Sequence, residues 1–453
     1  MLRLFNPRRI YDLVFPFTCH CATDAPTQIF RRLPDLPLEI WLEIFQWSTY
    51  VYGSTTFEPL DPFIVKHSPR DVMGTNSPIL SLHTKCALVR VCHAWRRIAI
   101  QILYQHIVIR SPSRATLILQ ALRDSHSDKA NYGYWTRSIT LYTHARGVKD
   151  IRFLQNVFRI LQYCPRLRTF SATWCFVAPK EFLDAVATVC GPNLQGLCWD
   201  ERRYLSVAKT HASLDFLSSF KSLRVLDLRN FVGDGCLTPT DAAATLPCLD
   251  HLILSNHTPN ISVAVALHLP ALRTLTLQSV VHHPIGTDLI TKLLATHGAR
   301  LTTVHLPCPN SGLDTFEPTQ PRPASQHIPP ALFLQVGVCP NLEVFTFSAN
   351  SPPITLHPPG PTHTALRRIA LYSVRAEALY PLKRNDTQTH LRLFTRAVFP
   401  ALETVRTAGF IVDADGDILV KDVFIWWSER FEKDGVDFQD GEGVVWTYGE
   451  DSE

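Results

Sequence analysis

From about residue 135 onward one six-residue pattern keeps returning, and it restricts the fold of this chain more than any other feature. The pattern is a leucine, two residues, an apolar residue, one residue and a second apolar residue. Secure copies are LRTFSA (Leu167, Phe170, Ala172), LQGLCW (Leu194, Leu197, Trp199), LRVLDL (Leu223, Leu226, Leu228) and LDHLIL (Leu249, Leu252, Leu254). LRTLTL (Leu272, Leu275, Leu277), LTTVHL (Leu301, Val304, Leu306), LEVFTF (Leu342, Phe345, Phe347) and LRRIAL (Leu366, Ile369, Leu371) continue the series. TRSITL (Ile139, Leu141) and LETVRT (Leu402, Val405) are weaker members at its two ends. From Leu167 to Leu402 the leading leucines stand 27, 29, 26, 23, 29, 41, 24 and 36 residues apart, so most steps have the length of one supersecondary unit.

Each hexamer alternates, which sends its apolar residues to one side of a strand and residues such as Arg224 and Asp227 to the other. Helical patterns fill the intervals at 151–163, 179–190, 286–297 and 390–399. Strand then helix at this period predicts an α/β solenoid with a parallel sheet on its concave side and helices on its convex side. An ordinary α/β domain whose strands begin alike is the alternative, and the number of copies disfavours it. Pro165, Pro192, Pro247, Pro270, Pro340 and Pro400 precede cores, as suits a chain leaving a helix for a strand. Two long intervals hold PCPNSGLDTFEPTQPRPASQHIPP and VRAEALYPLKRNDTQTH, which read as loops grafted onto a unit.

The hexamers and their spacing resemble the leucine-rich repeat family, with one departure. That family commonly places Asn or Cys three residues after the last core position, to satisfy backbone groups in the turn. Here the position holds Cys175, Arg202, Phe231, His257, Val280, Pro309, Asn350 and Val374, so irregular turns are expected. The open end of such an array needs a cap. An aromatic-rich helix over 421–431, within a C-terminal segment 411–453, is the candidate.

Upstream, PDLPLEIWLEIFQW carries Glu39, Glu43 and Gln46 as one polar stripe on an otherwise apolar helix, which therefore needs cover on more than one side. Pro37 suits a first helical turn and Glu39 the positive end of the helix. KCALVRVCHAWRRIAIQILY places Leu88, Val91, Cys92, Trp95, Ile98, Ala99, Ile102 and Leu103 at helical period. Lys85, Arg90, His93, Arg96, Arg97 and Gln101 lie opposite, so one amphipathic helix is predicted. Two such helices could simply pack on each other.

LPDLPLEIWLEIF followed by LVRVCHAWRRIA also resembles the F-box, through Leu36, Pro37, Ile40, Ile44, Phe45, Leu88, Val91, Cys92 and Trp95. The resemblance implies a three-helix motif that binds the Skp-type adaptor of a cullin-RING ubiquitin ligase. Residues 51–84, rich in Pro, Ser, Thr and Gly, interrupt it and read as a surface insertion containing or displacing the middle helix. Loop-closure entropy grows slowly enough with length to tolerate that. The expected plan is a leader at 1–32, the helical element at 33–107, a helical linker at 108–134, the solenoid at 135–410 and the cap.

A net charge of +4 and a pI near 8.4 are too mild to indicate a nucleic-acid partner. Twelve cysteines without a regular short framework favour a reducing compartment, the cytoplasm or nucleus. The N-terminal apolar run LVFPF is short, preceded by Asp12 and broken by Pro16, so it is not read as a signal peptide. No run reaches the length of a membrane span, and no membrane is expected.

Catalytic chemistry finds no candidate. There is no phosphate-binding P-loop and no G-x-S-x-G nucleophile turn. Cys19-His20-Cys21 lacks a second ligand pair at zinc spacing, and no metal is expected. Asp413, Asp415 and Asp417 are followed by Ile418 and Phe424 where a calcium loop needs Gly and Glu, so they read as a polar turn. His282-His283 and the other scattered histidines read as structural or surface residues. No cofactor is expected. Joined, the two resemblances imply a non-enzymatic substrate receptor: the F-box holds the Skp-type adaptor and through it a cullin, while the repeat surface holds an unknown protein target. Arg224, Asp227, His251, Arg273, Thr276 and Arg367 are candidate target contacts by position. A non-catalytic repeat scaffold outside any ligase, with the helices capping the array, is the alternative. A receptor for a small molecule has no assembled basic pocket in its favour.

Overall fold

The computed structural model describes residues 36–51, 62–63, 76–127, 130–201, 213–231, 244–280, 285–308, 324–355, 363–380, 385–413 and 416–448. Several expectations lie outside these residues: the 1–32 leader with Cys19-His20-Cys21, most of the insertion, Arg202, His282-His283, Pro309 and Asp415. The chain divides into two units, Met1–Ile44 and Phe45–Glu453.

The described part of the first unit opens helix α1 (Leu38–Ser48), which runs on into the second. The carbonyl of Pro37 accepts from the amides of Ile40 and Trp41 and so starts the helix, as its position predicts.

In the second unit, α1 is followed by α2 (Pro78–Val91) and α3 (His93–Gln105). The single helix expected over 85–104 is therefore two. Cys92 is fully extended, and its Sγ accepts from the Trp95 amide at 3.4 Å while its carbonyl accepts from Arg96 at 2.9 Å, capping α3. Ser77 caps α2 through Leu80, with Pro78 at its first position. Helix α2 begins inside the stretch read as an insertion, and two hydrogen bonds tie its start to the end of α1. Asn76 donates to the Ser48 carbonyl at 2.6 Å, and the buried Ser81 hydroxyl donates to the Thr49 carbonyl at 2.6 Å.

Helix α3 passes without a linker into β1 (His106–Ile109), the first of twelve strands. Next come α4 (Pro112–Ser127), β2 (Ser138–Tyr142), α5 (Ile151–Tyr163), β3 (Thr169–Thr173), α6 (Lys180–Cys190), β4 (Gly196–Asp200) and β5 (Val225–Asp227). They are followed by β6 (His251–Ser255), α7 (Thr258–Ala266), β7 (Thr274–Gln278), α8 (Thr287–His297), β8 (Thr303–His305), β9 (Val344–Ser348) and β10 (Arg368–Tyr372). The unit closes with α9 (Asp386–Leu393), β11 (Thr404–Arg406), α10 (Ile418–Glu432) and β12 (Asp437–Gln439). Every strand pairs in parallel with its sequence neighbour, in the order β1 to β12. That is the expected α/β array of parallel strands with helices in the intervals.

Register explains why the hexamer matters. Ile107, Ile139, Phe170, Leu197, Leu226, Leu252, Leu275, Val304, Phe345, Ile369, Val405 and Phe438 are direct partners across the whole sheet, and all are buried. The leading leucines, from Leu167 to Leu402, are buried beside them. A turn one residue longer would flip a strand's apolar set to the other face, so the column holds the register against irregular loops. In two turns the side-chain acceptor stands one residue earlier than the family pattern suggested. Thr143 Oγ1 accepts from Cys175 at 2.8 Å, and the buried Asn256 Oδ1 accepts from Val280 at 2.8 Å.

Three boundaries differ from expectation. The expected linker at 108–134 contains the end of β1 and α4, which packs against α5, so the array starts at His106. The helix expected over 390–399 is α9, four residues earlier, because Asn385 caps it by accepting from Gln388 at 2.8 Å. The C-terminal segment adds a strand as well as a cap: β12 extends the sheet, and Phe424, Trp427 and Phe431 of α10 are buried over it. Phe431 stacks on Phe438 at 5.0 Å, and Trp427 Nε1 donates to the Leu379 carbonyl at 2.9 Å. Asp417 caps α10 through Leu419, which gives that member of the aspartate run a structural role.

Candidate functional site

Apolar residues on the surface collect in the helical region. Among the described residues nineteen large hydrophobic side chains are exposed, and ten of them fall between residues 36 and 91. In the first unit these are Leu36, Leu38, Ile40 and Ile44. In the second they are Trp47, Tyr50, Ile79, Leu80, Leu82 and Val91, with Trp47 65% and Val91 59% exposed. Isolated exposed leucines need no explanation, but side chains this dense stand uncovered among the described residues.

The residues that carry the F-box resemblance now separate. Phe45 is 1% exposed and meets Trp95 edge-on, with ring centroids 4.8 Å apart. Leu88 and Trp95 are half-buried. Leu36, Pro37, Ile40, Ile44, Val91 and Cys92 are exposed. The expected helical stripe of α3 is kept by Ile98, Ala99 and Ile102, all buried, whereas Val91 and Cys92 drop out of it where the helix breaks.

The candidate target contacts do not form one row. Arg224, Arg273 and Arg367 sit immediately before β5, β7 and β10, on the rim of the sheet, with exposed side chains. Their carbonyls belong to a backbone ladder: Arg224 accepts from Asp250 and His251, Arg273 from Thr302 and Thr303, Arg367 from Glu403 and Thr404. Arg367 also pairs with Glu403 at 3.0 Å. Asp227, His251 and Thr276 lie within strands, on the face turned from the core.

All three have partners within the sheet face. Asp227 is 4% exposed and clamps Arg229, with Nη2 to Oδ2 at 2.7 Å and Nε to Oδ1 at 3.1 Å, while Cys198 Sγ donates to it at 3.7 Å. His251, buried, bonds through Nε2 to Thr276 Oγ1 at 3.0 Å. Burial, with the neighbouring His305, lowers the His251 pKa to about 3 despite the opposing pull of Asp227, so its ring is neutral at physiological pH. His106 falls to about 4, first through burial and then through Lys85. Asp227 and His251 therefore organise the sheet face rather than offer themselves to a partner.

Sequence reasoning did not single out Arg368 and Arg406, which share that face and flank Phe63. The signal was present in the hexamer parity, since both occupy outward positions of their strands. Among the described residues no group of three or more His, Cys, Asp or Glu is placed to hold a metal, and no helix is long and apolar enough to cross a membrane.

No known family profile matches the chain, and no curated protein does. Solved structures resemble it at low identity. The leucine-rich repeat-containing protein LegL7 from Legionella pneumophila is 11% identical over 77% of this chain and 94% of its own, with a TM-score of 0.39. A chain of the Rad7 and Elc1 complex in yeast is 11% identical over 82% of this chain and 88% of its own, with a TM-score of 0.28.

Proposed function

We propose that this chain is a substrate-receptor subunit of an SCF-type cullin-RING ubiquitin ligase, a binding scaffold rather than an enzyme. The observation that carries the reading is the density of uncovered apolar side chains on α1 and α2, coincident with the residues that resemble an F-box. Removing one large apolar side chain from water is worth roughly 1.5–3 kcal/mol, so a partner that covers several gains a strong driving force.

In this reading Leu36, Pro37, Ile40, Ile44, Val91 and Cys92 meet the Skp-type adaptor, while Phe45 and Trp95 hold the helices in place. The cullin is reached through the adaptor, and the repeat surface holds the target, raising its effective concentration near the ubiquitin-loaded enzyme. The Arg224, Arg273 and Arg367 rim is accessible to such a target. The protein would work in the cytoplasm or nucleus, where thiols such as the unpaired Cys164, Cys190 and Cys339 stay reduced.

Co-expression with a Skp-type adaptor tests the proposal. A stable one-to-one complex is expected, and the chain alone should aggregate through its uncovered helices. A chain that is soluble and monodisperse by itself, and that binds no adaptor, would be a scaffold outside the ligase.

A further inference from the structure

The outer face of the sheet near its C-terminal end holds a piece of the insertion. Arg406 Nη1 donates to the carbonyl of Pro62 at 2.7 Å, a contact between residues 344 apart in sequence. The next ring, Phe63, lies 5.0 Å from the Arg368 guanidinium carbon and 5.2 Å from that of Arg406, inside cation–π range of both. Arg406 is itself held, since its Nε donates to Gln439 Oε1 at 3.0 Å from the adjoining strand. It is only 5% exposed, so its guanidinium is oriented rather than swinging freely in solvent.

Two guanidiniums on the same sheet face, that of Arg406 held by Gln439, with a ring between them and a main-chain carbonyl on one of the Arg406 donors, make a specific arrangement. The ring and carbonyl come from two consecutive residues in a turn, so a partner segment that turns in the same way can supply both. Charge fits as well: in sequence Glu58 and Asp61 stand within five residues of Phe63, and the receiving face carries two arginines. Such a face selects an aromatic residue with acidic neighbours over an aliphatic or basic segment.

We propose that Arg368 and Arg406 form a receptor for an acidic, aromatic-bearing peptide segment, and that Pro62-Phe63 occupies it as an internal competitor which a partner's segment must displace. The claim deepens the substrate-receptor reading by naming the chemistry of the target, but adaptor binding does not depend on it. An internal competitor lowers the apparent affinity for an external one by the fraction of molecules in which the face is open. Its removal should therefore strengthen binding in trans.

The test uses the full chain and a fluorescent peptide of its own residues 57–64, FEPLDPFI, titrated by anisotropy. Phe63→Ala in the protein is expected to bind the peptide at least ~10-fold more tightly than wild type. Adding Arg368→Gln, a half-buried residue on the sheet surface, should abolish the gain with no change in unfolding temperature, and a peptide with alanine in place of its final phenylalanine should not bind. Equal affinity for wild type and Phe63→Ala, or no binding to either, overturns the proposal. Adaptor affinity measured on the same variants should stay constant, so failure here is separable from failure of the ligase reading.

Discussion

Phe45 and Trp95 meet edge-on at 4.8 Å, joining the end of α1 to the start of α3. The contact divides the helical element into a structural interior and an uncovered exterior, because the preceding residue, Ile44, belongs to the exposed set. Phe45→Ala should destabilise the helical element by about 3–5 kcal/mol, the usual cost of deleting a buried phenyl ring. Ile44→Ala should leave stability within about 0.5 kcal/mol. Thermal unfolding of the two variants checks the division, and equal losses would refute it.

Turn chemistry gives a second prediction. The Val280 amide depends on Asn256 Oδ1 in a buried turn, so Asn256→Ala leaves a donor without that partner. A loss of about 1–3 kcal/mol is expected, read as a lower denaturation midpoint at unchanged m-value. No change would mean that the turn finds another acceptor.

The repeats were legible because their physics is short-range and periodic. A leucine and two apolar residues at fixed offsets can serve only one face of a strand, and every such residue read from the sequence is buried. The ends of the array were not legible for the opposite reason. HIVI of β1 and DFQ of β12 are too short to show a period, and they are strands because a neighbour pairs with them. The break at Cys92 was hidden by a helical period that continues in the letters on both sides, although Ser77-Pro78 marked the true start of α2. The division of the sheet face into committed residues such as Asp227 and accessible ones such as Arg273 depends on partners that no local pattern reveals.

Two desolvated histidines, buried His251 and half-buried His106, set a pH dependence. His251 and His106 have folded pKa values of about 3 and about 4, against roughly 6.5 in the unfolded chain. Between those limits the unfolded state binds more protons, so stability rises with pH. Their contribution is complete above pH ~6.5 and is lost as the pH falls toward 4 and then 3. Unfolding temperatures recorded at pH 7.5, 6 and 5 should decline in that order, with a shallower decline in His251→Gln. An identical slope in that variant would contradict the assignment.

Thiol reactivity should follow burial. Cys164, Cys190 and Cys339 are buried, and desolvation raises each pKa to about 12, so iodoacetamide should not modify them in the native state. Cys92 and Cys248 are exposed and should react. If the adaptor covers the helical element, its addition should protect Cys92 and leave Cys248 labelled, as mass spectrometry of the modified peptides would read.

The most direct measurement of the central claim is adaptor affinity for wild type beside Leu36→Ala/Pro37→Ala. Both residues are exposed, and the alanine variant keeps the carbonyl that starts α1, so its unfolding temperature should match wild type. Wild type should hold a purified Skp-type adaptor through gel filtration, and the variant should lose it by at least ~10-fold while retaining any bound target. Equal adaptor binding by both proteins, or none by wild type, would contradict the account.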